Sequence, residues 1–186
     1  MGRLNLKNRR VNETARMHGR GIIDSIANRV LDTTKNTLFP GEKHAPLWVD
    51  GTFMPARYDG PGTNLEFRVR RGDVGLTRTD AESEAHDLRY GLARNVGEVR
   101  AADLKMLSVL QQTVANKTDA RFNTLPAMTG ITAKVAAEKL GVNPNFFTTF
   151  GREHQTPEVN ALYEKTLKGL EQQGLGLRRF SNGLIM

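Results

Sequence analysis

The chain has 186 residues and a formal net charge of +7, with 27 lysine and arginine residues against 20 acidic ones. This length suits one ordinary domain, or a small domain with extensions, and it excludes two large domains. Because the sequence has no cysteine, disulfide scaffolds, thiol nucleophiles and cysteine zinc sites are excluded. We expect no membrane-spanning segment and no secretion signal, since no apolar run has the required pattern. Histidine chemistry depends on four side chains: His18, His44, His86 and His154.

A basic arm is predicted at residues 1–20, where six lysine and arginine side chains stand against Glu13 alone. Such an arm can neutralise phosphates on nucleic acid or on anionic lipid, and it is equally typical of a solvated terminus. Residues 21–45 follow as an amphipathic helix and a linker. Isoleucine, valine and leucine recur at helical spacing over about 22–37, which favours a helix packed on its own domain over one lying on a membrane or a partner.

Short β structure is predicted after this helix. Asp50-Gly51 supplies the positive φ angles of a tight turn between two apolar triplets, 47–49 and 52–54, which is the pattern of a β-hairpin. A further short strand is predicted at 65–69, because apolar and charged residues alternate there.

Helices are predicted for most of the remaining chain. Thr79 and Glu82 stand in capping-box spacing at the start of one helix, and the next covers about 100–115. Because a short loop joins these two helices, they should pack antiparallel. Further helices are predicted at about 131–140 and 157–173.

The predicted fold class is therefore mainly α. Its core, at 46–115, would hold the antiparallel helix pair and the small β-hairpins. A helical C-terminal extension would follow at 116–186, with irregular structure in its last residues, 174–186.

Asp103 is the most informative residue of the predicted helix pair. It shares a helical face with three apolar residues: Leu107, Leu110 and Val114. Burying a charge is costly unless the charge is paired, so this carboxylate should face a donor, and His86 is the imidazole on the neighbouring helix. The alternative is an ion pair with an arginine such as Arg89 or Arg94, or a carboxylate favoured by the helix dipole.

His86 is followed by Asp87 and, one helical turn later, by Tyr90, which shares its face. An imidazole held by a carboxylate through one nitrogen can take a proton from water with the other. Asp87 lies about 100° further around the helix, where it would point elsewhere, as a metal ligand beside a base must. A His-Asp pair without other signals is more typical of a solvated helix surface.

The loop Tyr58-Asp59-Gly60-Pro61-Gly62 is a candidate cation site. Its two glycines and its proline let the backbone turn carbonyl oxygens inward, and calcium binds such carbonyls together with a carboxylate. The loop would supply oxygens, and Asp87 could supply charge. An isolated pentapeptide of this composition is most often an ordinary turn.

Together, these motifs resemble the phospholipase A2-like domain. The order is Tyr58-x-Gly60-x-Gly62, then a helix start at Asp80-Ala81 leading to His86-Asp87-x-x-Tyr90, then Ala102-Asp103 on the next helix. Tyr-x-Gly-Pro-Gly is especially similar to the version in parvovirus minor capsid proteins. The resemblance covers about 58–107, and the stretch between Gly62 and His86 is longer than in the parvoviral pattern.

The resemblance implies a role for each matched position. His86 would activate the water that attacks the sn-2 ester of a phospholipid, Asp103 would orient His86, and Tyr90 would support the pair. The ion and the amide of Gly60 would stabilise the oxyanion. Calcium, Ca2+, would be held by four residues: the carbonyl oxygens of Tyr58, Gly60 and Gly62 and the carboxylate of Asp87.

Two functions are therefore open. The resemblance implies a calcium-dependent phospholipase A2 that a virus particle carries to breach a membrane during entry, located in the virion beside other capsid proteins. The alternative is a non-enzymatic basic virion structural or nucleic-acid-associated protein that retains the scaffold, with the basic arm as its nucleic-acid contact. A possible helix-turn-helix fragment at 136–142 lacks a convincing recognition helix at 143–147.

Overall fold

The computed structural model describes residues 42–60, 62–141 and 151–172. Several predictions lie outside the described residues: the basic arm at 1–20, the amphipathic helix at about 22–37, the segment at 143–147 and the tail at 174–186.

The described chain is mainly helical and has one small antiparallel sheet. A β-hairpin comes first, and five α-helices follow, with a short 3₁₀ helix at Arg152–His154 before the last one. The elements are β1 (Pro46–Val49), β2 (Thr52–Pro55), α1 (Leu65–Arg71), α2 (Arg78–Leu92), α3 (Val96–Asn116), α4 (Arg121–Lys139) and α5 (Pro157–Gln172). Among the described residues, no helix is long and apolar enough to cross a membrane.

The predicted hairpin is confirmed. Asp50 and Gly51 both have positive φ, 48° and 85°, and the register pairs Trp48 with Phe53. These two aromatic rings meet edge to face with 4.8 Å between their centroids, on the exposed side of the hairpin. Leu47 on the opposite side is fully buried.

The predicted strand at 65–69 is wrong, because these residues form helix α1. The side chain of Asn64 caps the helix by accepting a hydrogen bond from the Phe67 amide, and Gly72 ends it in the left-handed conformation. Leu65 is half-buried and Arg68 and Val69 are buried, so burial follows the i, i+3, i+4 spacing of a helix and not alternation. This helix lies within the long stretch between Gly62 and His86.

Helices α2 and α3 form the predicted antiparallel pair. Ala93 packs with Val99 near the loop, and contacts further along both helices bring His86 to Asp103. The predicted cap at Thr79 is wrong, because Thr77 accepts the hydrogen bond from the Asp80 amide and Thr79 lies inside the helix.

The other helix boundaries shift for similar reasons. Helix α3 begins at Val96, before the predicted position of 100, because Asn95 caps it by accepting from the Glu98 amide. Helix α4 begins at Arg121 and not near 131, and it continues through Pro126. Packing of Ala127 and Ile131 on α3 stabilises this helix despite the proline. The prediction at 157–173 closely matches α5.

The two C-terminal helices cover the helix pair. Helix α4 packs on α3, and α5 packs on α2. Gly91 permits the second contact, because a Cβ atom there would lie 2.7 Å from the Tyr163 ring. Residues of the predicted extension therefore complete the core around the predicted site.

A buried ion cluster fastens α1 to the segment before the hairpin. The Arg68 guanidinium, which is fully buried, donates to both oxygens of Glu42 at 2.7 and 3.2 Å. The Asn64 amide donates to the same carboxylate at 2.6 Å, and the His44 ring lies 3.0 Å from it. A carboxylate and a guanidinium buried together satisfy each other's charge.

Replacing Arg68 by methionine should lower the free energy of unfolding by about 3–5 kcal/mol, because Glu42 would be left buried without its charge partner. Urea denaturation measures the change. The matched control is Arg70→Met, which removes an exposed pair with Glu66 on the same helix and should cost less than about 1 kcal/mol. Equal costs for the two variants would contradict the buried-cluster account.

Candidate active site

The contact between His86 and Asp103 lies at the centre of the helix pair. Nε2 of His86 is 2.8 Å from Oδ1 of Asp103, and the aspartate is fully buried. The predicted partner of this buried carboxylate is therefore confirmed. The arginine alternative is wrong for Arg89, which pairs with Glu82 and Glu171.

Tyr90 reaches the same carboxylate, as its place one turn after His86 predicts. Its hydroxyl donates to Oδ1 of Asp103 at 2.5 Å, and its ring lies 4.3 Å from the His86 ring between centroids. Oδ1 thus accepts from two side chains of α2. These contacts orient the imidazole and connect Oδ1 to two side chains of one helix.

Lys134 on α4 binds the other oxygen of Asp103. Its ammonium contacts Oδ2, and the same nitrogen is 2.5 Å from Oε1 of Glu138. Burial raises the pKa of Asp103, but hydrogen bonds from His86, Lys134 and Tyr90 outweigh that effect and hold the pKa below its ordinary value. The carboxylate therefore stays ionised beside the imidazole.

The second nitrogen of His86 faces Asp87. Nδ1 lies 3.8 Å from Oδ1 of Asp87, beyond hydrogen-bond distance, and the Asp87 side chain is partly exposed. Burial lowers the pKa of His86, but Asp103 and Asp87 raise it more, so the pKa lies above its ordinary value. With Nε2 engaged by Asp103, Nδ1 is the nitrogen placed to accept a proton from a molecule next to Asp87.

The predicted calcium loop is held by Asp80, which is fully buried near the start of α2. Its oxygens accept from the amides of Arg57, Tyr58 and Asp59 at 2.8–3.2 Å, and from the amide of Leu76 at 2.8 Å. The loop amides therefore point towards Asp80. This one carboxylate ties the loop to the helix that carries His86.

Gly60 is required by the packing behind the loop. Its φ is 151°, and a Cβ atom at this position would lie 1.9 Å from the carbonyl oxygen of Lys43. The Asp59 carbonyl accepts from the Ala45 amide at 2.8 Å, which fastens the loop to the segment before the hairpin. The loop backbone therefore lies between Asp80 on one side and the segment before the hairpin on the other.

Thr63 brings the loop and Asp87 together. Its hydroxyl donates to the Gly60 carbonyl oxygen at 3.3 Å, and the same side chain lowers the pKa of the Asp87 carboxylate. A backbone carbonyl and a carboxylate within reach of one hydroxyl are suitable oxygen ligands for calcium. Of the predicted ligand residues, Gly60 and Asp87 therefore both lie near Thr63.

The electrostatics around this point also suit a cation. Burial, Asp80 and Asp87 raise the pKa of Asp59 to about 7. Burial, followed by Asp80, raises the pKa of Asp87, against the effect of His86 and Thr63. Carboxylates that resist ionisation beside one another are stabilised by a nearby positive charge.

Among the described residues, no three His, Asp or Glu side chains form a group that could hold a metal ion. A calcium site here would instead combine one carboxylate with backbone carbonyl oxygens, which calcium accepts readily. Tyr58 and Gly62 are in the described part of this loop, and Pro61 between them lies outside it.

No protein-family model matches the chain, and neither the curated proteins nor the solved structures include a match. The geometry of the site is therefore the basis for assigning a function.

The sequence did not predict that Lys134 belongs to the site, and it did not predict that Asp80 binds the loop. Lys134 follows Ala127 and Ile131 on the buried face of α4. A lysine at helical spacing from buried apolar residues signals a buried acidic partner. Asp80 lies three residues after the cap Thr77, in the first turn of α2. Carboxylates are common in the first turn of any helix, so this position gave no sign that Asp80 binds the loop.

In calcium-free protein, His86 should titrate above the ordinary histidine pKa of about 6.5, because Asp103 and Asp87 stabilise the imidazolium. Its contribution to stability is complete below about pH 6.5 and is lost as the pH rises through the folded-state pKa. NMR titration of the imidazole protons measures this pKa, with the signal assigned by its loss in His86→Ala. Asp103→Asn should lower it, and a wild-type pKa below 6.5 would contradict the described contacts.

Proposed function

We propose that the protein is a calcium-dependent phospholipase A2, which hydrolyses the sn-2 ester of phospholipids. The observation that carries this proposal is the orientation of His86, with Nε2 on the buried Asp103 and Nδ1 towards Asp87. This arrangement suits a general base that activates water beside a cation site. The Tyr58–Gly62 pattern and the order of the motifs agree with the same function.

The proposed reaction uses His86 as base and then as acid. Nδ1 accepts a proton from water while the water oxygen attacks the ester carbonyl carbon. The resulting imidazolium is stabilised by Asp103, which Tyr90 holds in place. When the tetrahedral intermediate collapses, Nδ1 returns the proton to the leaving alkoxide oxygen, so the products are a free fatty acid and a lysophospholipid.

The proposed calcium ligands are the backbone carbonyls of Tyr58, Gly60 and Gly62 and the carboxylate of Asp87. When bound, calcium supplies positive charge against the ester oxygen on which negative charge develops. The Asp80 carboxylate fixes the loop backbone by accepting hydrogen bonds from the loop amides. The loop carbonyl oxygens would therefore need little rearrangement to bind calcium.

The hairpin beside the loop suits an enzyme that works at a lipid surface. Trp48, Phe53 and Met54 are all exposed there, and Phe122 on the neighbouring α4 is three-quarters exposed. Exposed aromatic side chains of this kind are stabilised at the boundary between lipid headgroups and acyl chains. We place the enzyme in a virus particle, beside other capsid proteins, on the basis of the parvoviral resemblance of the loop.

His86→Ala should abolish hydrolysis of phospholipid vesicles in calcium, and Asp103→Asn should lower the rate by about 10–10⁴-fold, because the asparagine favours the wrong imidazole orientation. The double variant should be little slower than His86→Ala, since the two residues act as one unit. Fatty-acid release measures the rates, and circular dichroism checks the fold. The control is His154→Ala, which changes an exposed histidine outside the site.

Wild-type rates in His86→Ala would overturn the enzymatic proposal. Folded wild-type protein without hydrolysis in calcium would instead favour the non-enzymatic basic virion protein, which keeps the scaffold for a structural or nucleic-acid-associated role.

Asp87→Asn should weaken calcium binding about tenfold or more, because the site loses its charged ligand. Isothermal titration calorimetry measures the affinity, and the rate should rise with calcium in the same concentration range for each protein. Magnesium should substitute poorly, since it demands tight octahedral geometry and sheds water reluctantly. Asp50→Asn, which changes an exposed carboxylate in the hairpin turn, is the matched control. Full wild-type activity in a chelator would contradict the metal assignment.

A further inference from the structure

Lys134 joins the proposed catalytic group from outside the predicted core. It lies on α4, and its side chain is 9% exposed. The ammonium contacts Oδ2 of Asp103, whereas His86 and Tyr90 both use Oδ1. The two oxygens of the aspartate therefore have separate partners on two different helices.

Lys134 is itself held in place. Glu138, one helical turn later on α4, lies 2.5 Å from the ammonium, and Arg100 on α3 approaches the other oxygen of Glu138 at 3.3 Å. The ammonium also lies 5.3 Å from the centroid of the Tyr90 ring. Opposite charges thus alternate through Asp103, Lys134, Glu138 and Arg100, which fixes the long lysine side chain.

An aspartate that is bound through one oxygen alone can rotate about its Cβ–Cγ bond, because this torsion has a broad, roughly two-fold preference. Rotation would change the direction of the lone pair offered to Nε2 and would tilt the imidazole. A charged donor on Oδ2 prevents this rotation, since a charge-assisted hydrogen bond is stronger than a neutral one. The tilt of His86 matters because Nδ1 must stay aligned with the attacking water.

We propose that Lys134 is a positioning residue for the proposed hydrolysis, and that it acts by locking the carboxylate of Asp103 against His86. Helix α4 is then part of the catalytic machinery. The inference rests on the proposed phospholipase function, and it adds a residue for which the recognised motifs have no position.

The test compares Lys134→Met with Lys134→Arg in calcium and phospholipid vesicles. We expect the methionine variant to lose about tenfold or more in kcat with KM changed by less than about twofold, because positioning affects the transition state and not lipid binding. The arginine variant should recover most of the loss, since it restores a charged donor. Lys105→Met is the control, because it removes a lysine from the exposed pair with Glu171.

A second variant separates positioning from folding. Lys134→Met leaves Asp103 and Glu138 without their shared cation, so Lys134→Met with Glu138→Gln removes one of the two negative charges that this cation balanced. We expect the double variant to be folded by circular dichroism and to show the same loss in kcat. A folded variant with wild-type kcat, or a loss that Lys134→Arg does not rescue at all, would overturn the proposal.

NMR distinguishes this inference from the proposed function. At a pH where His86 is neutral, its ring ¹⁵N shifts should report one tautomer in the wild type, with the proton on Nε2, and a mixture of tautomers in Lys134→Met. This result would support positioning even in a protein that hydrolyses no lipid. Identical ¹⁵N shifts in the two proteins would refute it, whatever the activity of the wild type.

Discussion

Hydrogen bonds to the buried carboxylate of Asp103 determine how the candidate site is assembled. An isolated carboxylate in this position would be strongly destabilising, because burial removes its water. Side chains from two other helices replace that water: His86 and Tyr90 from α2, and Lys134 from α4. The cost of burial therefore enforces the packing of three helices, and the same contacts orient the imidazole.

A second buried carboxylate, Asp80, organises the backbone in the way that Asp103 organises side chains. It lies six residues before His86 on α2 and accepts hydrogen bonds from the amides of the loop that includes Tyr58. One helix thus carries both the proposed base and the group that shapes the proposed cation site. The distance between the loop and His86 is fixed by the rise of that helix.

Local signals in the sequence predicted much of this arrangement. Asp50-Gly51 predicted the hairpin, and the spacing of Asp103 on an apolar face predicted a buried carboxylate with an imidazole partner. The strand predicted at 65–69 was wrong because a seven-residue helix is too short to show its period, and alternation arose by chance. Lys134 could not be paired with Asp103 from sequence, because 31 positions separate them and only tertiary packing brings α4 onto α3. The proposed calcium ligands and the catalytic roles remain predictions. Carbonyl ligands in particular are difficult to predict from sequence, because every residue has a backbone carbonyl and the side-chain pattern does not distinguish the ones that bind a metal.

Product analysis decides whether the protein hydrolyses phospholipids at the sn-2 ester. Purified protein would be mixed in calcium with vesicles of a phospholipid that carries palmitate at sn-1 and oleate at sn-2, and mass spectrometry would identify the products. Oleate and palmitoyl-lysophospholipid should form in equal amounts if His86 and Asp103 hydrolyse the sn-2 ester. Release of palmitate in place of oleate, or no release of fatty acid by the folded protein, would contradict this prediction.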